Sequence, residues 1–411
     1  MKIAYIVKEF PRLSETFILT ELLQLEALGH EVVVFSRHEG SAEVPHEGLS
    51  RLRAEVVQLQ PLLRDRLWES FESHLAASRK LGESYDRMME QAISLRSRNE
   101  MRYWIVAAAL ARQLRDRRVD LIHGHFATGS ASMARYAAGL AALPYTFTAH
   151  AKDIYAETVS IPRLRNLCLQ AAAVVTVSDA NVAYLQQIAP GAHIRRIYNG
   201  VDLQRLPELP PPPLPRSPRI LFVGRFVEKK GLPVLLDAAA ALKAEGRELR
   251  LRLVGEGPLE EELRRRAAAL DLLEVVEFVG PASQEEVIGR HFPESAVFAM
   301  PAVIAADGDR DGLPTTLLEA AACGVPMVST AVTGIPEILG HGEAGLIVAP
   351  GDAEALAGAL GRIFDQPAIA ARLATAARRR AEALFDARRN VAQLAALFEQ
   401  AAGKHSGAGS A

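Results

Sequence analysis

The chain has 411 residues, 49% of them hydrophobic and 23% charged. At about 150 residues per domain this length suggests two or three soluble globular domains. Lys and Arg total 47 against 49 Asp and Glu, a net charge of -2, which argues against a nucleic-acid binder. The two cysteines, Cys168 and Cys323, stand far apart without a CxxC partner, excluding a disulfide scaffold and a thiolate zinc site and fitting a reducing cytosol.

The opening run Met1 to Lys8 is too short and too soon charged for a secretion signal. The uncharged run Tyr136 to Ala151 contains Pro144 and His150 and falls below the ~18 apolar residues of a spanning helix. The expected location is cytoplasmic, with any membrane contact peripheral.

Short β-branched runs alternate with amphipathic stretches, the rhythm of parallel βαβ units. In the first half this pattern predicts strands at Lys2–Val7, Glu31–Ser36, Glu55–Gln58, Asp120–Phe126, Tyr145–Ala149, Val174–Ser178 and Ile194–Tyr198. It predicts helices at Glu15–Leu28, Asn99–Arg117, Ser130–Leu140 and Asn181–Ile188. The second half predicts strands at Arg219–Arg225, Leu251–Gly255, Val275–Val279, Ala296–Pro301, Pro326–Ser329 and Gly345–Val348.

Between the halves, residues 207–218 contain seven prolines in twelve positions. Such a segment joins neither helix nor sheet and reads as a stiff linker. The expected division is a Rossmann-like domain over 1–206, the linker at 207–218 and a second Rossmann-like domain over 219–385. A helix at 386–403 is expected to cross back to the first domain, followed by a disordered tail at 404–411. Two doubly wound parallel sheets predict ligands at the carboxyl ends of the strands, in a cleft between the lobes.

Arg96 to Arg118 holds seven arginines against Glu100 and Asp116, around Tyr103-Trp104-Ile105-Val106. It reads either as a basic amphipathic surface for anionic lipid or as a long helix with one face in the core.

The turn Lys8 to Ser14 has no glycine, and Gly255-Glu256-Gly257 is followed by Glu260 where a dinucleotide fingerprint needs its third glycine. Nicotinamide and flavin chemistry are therefore disfavoured. Gly224-Arg225-Phe226-Val227-Glu228-Lys229-Lys230-Gly231 instead follows a strand with three cations, which suits a diphosphate. Asp307-Gly308-Asp309-Arg310-Asp311-Gly312 copies the start of a calcium loop. The position of the bidentate glutamate is occupied by Leu318, with Glu319 one residue late. Pro314, Thr315 and Thr316 read as a helix start, the threonines capping it, with amides over Thr315–Leu317 open to a phosphate. Asp311 and Glu319 would then offer carboxylates to sugar or ribose hydroxyls.

These segments, Gly224-Arg225 … Lys230-Gly231, Gly255-Glu256-Gly257-Pro258 and Asp311-Gly312-Leu313-Pro314-Thr315-Thr316-Leu317-Leu318-Glu319-Ala320, resemble glycosyltransferase family 4, of GT-B fold. Phe10 to Ile18 and Phe147 to Tyr155 resemble the bacterial exopolysaccharide enzymes of the colanic-acid and amylovoran type. The resemblance implies a retaining, metal-independent transferase using a UDP- or GDP-sugar as donor and no other cofactor. Front-face attack would be assisted by the leaving phosphate. Arg225 and Lys230 would stabilise the departing diphosphate, Glu319 would bind the ribose, and His150 would contact or orient the donor sugar. Asp311 occupies a position where the family usually has the longer Glu.

Gly224 opens the loop expected to meet the diphosphate, and Gly255, Gly257 and Val279 belong to the loops expected to read base and sugar. Ser14, Glu15 and Thr16 are expected to face the acceptor, a lipid-linked oligosaccharide or polysaccharide. His123 and His125 share a strand face like a metal pair, but with no third ligand nearby in sequence they read as structural or acceptor-shaping. The rival readings are a non-catalytic nucleotide-sugar-binding subunit and a phosphorylase or epimerase of the same fold.

Overall fold

The computed structural model describes residues 1–12, 15–41, 47–63, 65–206 and 218–408. Ser14, the proline segment through 217 and the end of the tail at 409–411 lie outside the described residues. The chain forms two units. One comprises Met1–Ile154, Thr158–Ile197 and Arg388–Ala411, the other Tyr155–Glu157 and Tyr198–Ala387.

The first unit is built on β1 (Lys2–Arg12), β2 (Glu31–Ser41), β3 (Glu55–Gln58), β4 (Leu121–His125), β5 (Tyr145–Ala149), β6 (Ala173–Thr176) and β7 (Ile194–Arg196). All pairs are parallel, in the order β3-β2-β1-β4-β5-β6-β7. Helices cover both faces of a parallel sheet, so its strands are apolar without alternation. Ile3 to Val7 are accordingly almost wholly buried.

β1 is longer than its apolar run suggests. It keeps its register with β2 through Glu9↔His38, Phe10↔Glu39 and Arg12↔Ser41, so the expected turn at Lys8 is strand. Buried Phe10 anchors the extension. Pairing with β4 ends at Ile6↔Gly124, which leaves one edge open, where Pro11 is tolerated.

The Arg-rich stretch is a core helix, Arg98–Asp116, capped by Ser97. Trp104 and Val106 are buried, so its apolar face is already covered. The exposed aromatics stand instead on helix Leu67–Leu81, at Trp68 and Phe71. The sequence pattern predicts neither that helix nor Glu83–Ser94. Each buries only two or three small or polar-tipped side chains, which leaves little apolar stripe to detect. Among the described residues no helix is long and apolar enough to cross a membrane.

The last helix, Ala387–Ala408, runs past residue 404, where the tail is expected to lose structure. Its Val391, Leu394, Leu397 and Phe398 join Ile3, Tyr5 and Leu22 in the first unit's core.

The second unit holds β8 (Arg219–Val223), β9 (Arg250–Val254), β10 (Val276–Gly280), β11 (Val297–Met300), β12 (Met327–Thr330) and β13 (Leu346–Val348). These are parallel in the order β10-β9-β8-β11-β12-β13. In each sheet the order reverses beside the first strand, between β1 and β4 and between β8 and β11. Loops diverge there at the carboxyl ends and leave room for a ligand.

Candidate donor site and histidine cluster

In the second unit the loops after β8 and β11 are fastened together at the switch point. Val303 N–H donates to the Lys229 carbonyl at 2.9 Å, and Ala306 N–H donates to Glu228 Oε1 at 2.9 Å. Gly231 lies at φ 68°, and a Cβ there would sit 1.8 Å from the Pro301 carbonyl oxygen, so only glycine permits the contact. Gly255 is equally constrained, since its Cβ would meet the Gly224 oxygen at 2.0 Å. The Gly255 and Gly257 pair thus has a packing role, letting the loop after β9 lie on the loop after β8. Val279 falls where the β10 register with β9 slips, between Phe278 and Gly280.

This fastening brings together charges about 80 residues apart. Lys230 Nζ lies 2.8 Å from Asp311 Oδ2, and Lys229 Nζ lies 3.6 Å from Asp311 Oδ1 and 3.1 Å from Asp309 Oδ1. Burial of Asp311 favours its neutral form, but Lys230 and then Lys229 outweigh that and hold the carboxyl below its ordinary range. The calcium-like spacing is therefore occupied by lysines. Arg225 is exposed and, among the described residues, has no ion-pair partner. Two lysines thus share the two carboxylates Asp309 and Asp311.

Helix Thr315–Cys323 starts beside these groups. Pro314 is itself the cap residue and no side chain caps the end, so the threonines do not have the capping role expected of them. Leu317 N–H is already bonded to the Pro314 carbonyl at 3.1 Å. The first-turn amides of Thr315 and Thr316 lack intrahelical acceptors and remain open to an anion. One turn in, Glu319 is buried and accepts from Gln284 Nε2 at 2.5 Å. Burial, with a smaller contribution from the Glu285 charge and against the Gln284 hydrogen bond, pushes its carboxyl up to about 7.

The first unit gathers its own polar cluster at the switch point. His150 follows β5 and is packed between Phe17 and Phe126, ring centroids 4.9 and 4.6 Å away. Asp153 holds this turn by accepting from the N–H groups of Ala127, His150 and Ala151 at 2.7, 3.1 and 2.9 Å. Asn181 Nδ2 donates to the His150 carbonyl. His150 Nε2 is 3.3 Å from His125 Nδ1, and His125 Nε2 is 3.0 Å from Glu21 Oε1, which also accepts from Tyr5 Oη at 2.5 Å.

Burial would raise the Glu21 carboxyl, but His125, His123 and Tyr5 together bring it down to about 2. Burial depresses His150 well below the usual imidazole range and His123 to about 3. Glu21 is thus an acceptor only, and the His125 nitrogen facing it carries a proton. His150 Nε2 faces His125 Nδ1, so the His150 nitrogen at the ring's other edge is Nδ1.

Sequence reasoning misses Glu21. It is the third partner of His123 and His125, the three offering ligand atoms within 4.8 Å of one another. The available signal is Phe17 and Glu21 at i and i+4, which puts both on one helix face. Both nitrogens of His123 already meet the hydroxyls of Thr146 and Thr148, at 2.8 and 3.1 Å. The cluster is therefore a hydrogen-bond network. Of the expected acceptor residues, Ser14 lies outside the described residues. Glu15 accepts from Arg12 Nη1 at 2.6 Å, and half-buried Thr16 opens helix Thr16–Ala27.

The description "Glycosyltransferase Family 4" matches residues 14–205 and "Glycosyl transferases group 1" matches 211–380. The chain is 30% identical over 373 residues to the protein of Escherichia coli K12 named as the colanic acid biosynthesis glycosyltransferase WcaL, covering 87% of this chain and 89% of that one. It is 40% identical over 184 residues to the amylovoran biosynthesis glycosyltransferase AmsK of Erwinia amylovora, 45% of each chain. Among solved structures, Anabaena Alr3699/HepE in complex with UDP and glucose superposes with a TM-score of 0.72 at 19% identity, over 97% of this chain and all of that one. Sucrose-phosphate synthase of Thermosynechococcus elongatus gives 0.70 at 22%, over 97% and 98%. The two parallel sheets are those of the GT-B fold, and the chain belongs to glycosyltransferase family 4.

Proposed function

We propose that the chain moves a sugar from a nucleotide diphosphate donor, UDP- or GDP-linked, onto a lipid-linked oligosaccharide or polysaccharide in exopolysaccharide synthesis. Configuration at the anomeric carbon is retained and no metal is needed. The observation that carries the reading is the Lys229–Lys230–Asp311 cluster beside the open helix start at Thr315, with Arg225 free alongside. Breaking the anomeric C–O bond leaves the electron pair on the diphosphate, and fixed cations and helix amides stabilise that charge. The acceptor hydroxyl attacks the anomeric carbon and its proton passes to the departing phosphate oxygen. Asp309 and Asp311 are engaged by lysines, which supports a metal-free site.

Glu319 binds the ribose hydroxyls, Asp311 contacts the donor sugar, and His150 presents Nδ1 to a sugar hydroxyl. Glu15 and Thr16 shape the acceptor side. The neighbour crystallised with UDP and glucose and the exopolysaccharide relatives support donor and product class. Action at the inner face of the plasma membrane, with the protein peripheral, follows from a lipid-linked acceptor.

The test is thermal stability against UDP, GDP and ADP, each with magnesium or EDTA. A diphosphate at about 100 times its Kd adds about 2.7 kcal/mol. Stabilisation by one diphosphate, unchanged by EDTA, supports the reading and identifies the base. No shift with any of them refutes a nucleotide site. A shift that requires magnesium refutes the metal-free step. Binding without any sugar transfer favours a non-catalytic subunit, for which the short, lysine-bound Asp311 is the supporting observation.

A further inference from the structure

Glu319 is 6% exposed, yet among the described residues no lysine or arginine pairs with it, while Lys229 and Lys230 are taken by Asp309 and Asp311. Its partner is neutral, the Gln284 amide, which donates to Oε1 at 2.5 Å. Each carboxylate oxygen is an acceptor in its own right, so an amide on Oε1 leaves Oε2 available. Oε2 has no partner among the described residues and keeps accessible surface.

Gln284 stands on a loop that is held at both ends. Upstream, the Gly280 carbonyl accepts from Gly255 N–H at 2.7 Å, which fastens the loop after β10 to the end of β9. Downstream, Gln284 opens the short helix Gln284–Glu286, whose cap Ser283 accepts from Glu286 N–H through Oγ at 3.1 Å. Buried Val287 then donates from its N–H to the Ser283 carbonyl at 3.0 Å. The backbone is thus fixed while the Gln284 side chain is only half-buried.

From this position the amide acts on Glu319 in two ways. A hydrogen bond to the ionised form favours that form, against the burial and the Glu285 charge that favour the neutral one. It also engages Oε1, which makes Oε2 the open acceptor. A hydroxyl bonds more strongly to an ionised oxygen than to a neutral one. A site built to bond a substrate hydroxyl rejects the analogue that lacks it, because the buried group is then left unpaired.

Resting on the nucleotide-sugar reading above, we propose that Gln284 is a positioning residue for ribose recognition. It holds the Glu319 carboxylate with Oε2 toward the 2′,3′-diol, and so sets how strongly the site prefers ribonucleotides to deoxyribonucleotides.

Melting-point titration of the full chain tests this, with whichever of UDP, GDP and ADP stabilises it and with the 2′-deoxy and 3′-deoxy forms of that nucleotide. In the wild type, loss of a ribose hydroxyl should weaken binding by about tenfold. Gln284→Met keeps the length of the side chain and removes the donor. It should weaken the ribonucleotide by about tenfold and shrink the preference over the deoxy forms to about threefold or less. Gln284→Asn, one methylene too short to reach Oε1, should behave in the same way and reports if the first variant fails to fold. General damage to the loop would weaken all three nucleotides alike and leave their ratio unchanged. A wild-type ratio in either folded variant, or no preference in the wild type, therefore overturns the role of Gln284 while a nucleotide site still stands. No stabilisation by any of the three diphosphates overturns the nucleotide reading and this role with it.

Discussion

Replacing Glu319 with glutamine tests the electrostatics of the donor site without any knowledge of the substrate. In the folded protein burial raises its carboxyl from the ordinary 4.5 to about 7, while the unfolded chain titrates near 4.5. Below pH 4.5 both states hold the proton and the contribution to stability is complete. Between pH 4.5 and 7 the unfolded state loses its proton first, so stability falls as pH rises through that window. Above about 7 the contribution is gone, a total of about 3 kcal/mol at 1.36 kcal/mol per pH unit. In Glu319→Gln the side chain is neutral throughout, which removes this slope while keeping its size. Urea unfolding of both proteins from pH 5 to pH 8 should show the variant gaining on the wild type as pH rises. Its affinity for the stabilising diphosphate should fall, because an amide is a weaker acceptor for ribose hydroxyls than a carboxylate. Parallel pH profiles for the two proteins would refute the raised carboxyl and the reasoning built on it.

Lys230→Ala should lower sugar transfer by about two orders of magnitude or more, measured as release of nucleoside diphosphate, because the developing phosphate charge loses a fixed cation. Near-normal turnover would refute the proposed mechanism. Gly255→Ala should destabilise the second unit by about 2 kcal/mol or more, read by urea unfolding, since the new methyl group meets the Gly224 carbonyl oxygen at 2.0 Å. Burial pushes the thiols of Cys168 and Cys323 up to about 12, so iodoacetamide at pH 8 should label neither until the chain is unfolded. Glu21→Gln should reduce turnover while leaving nucleotide stabilisation intact, because the charge that orients His125 and His150 lies in the other unit.

The central strands were legible because a parallel sheet is buried on both faces there, so they read as apolar runs regardless of their neighbours. Ile3 to Val7 and Ile220 to Phe222 are examples, almost wholly buried as their side chains alone suggest. The Arg225 and Lys230 loop was legible for a related reason. A strand end followed by glycine and cations is local chemistry. Helices Leu67–Leu81 and Glu83–Ser94 were not, because a helix that buries so little carries hardly any periodic signal.

The sequence by itself determined the two α/β sheets, the strand pattern of hydrophobicity and the residue types able to meet a diphosphate. Only the tertiary structure decided how those types are paired. Glu21 reaches His125 across 104 residues, and Lys230 meets Asp311 because Gly231 lets one loop lie on another. Arg135 looks like any helical arginine in the chain. Packing alone shows that its face is stacked on Tyr136. Patterning records which face of an element is buried, whereas the partner of a buried charge depends on which elements the topology makes neighbours.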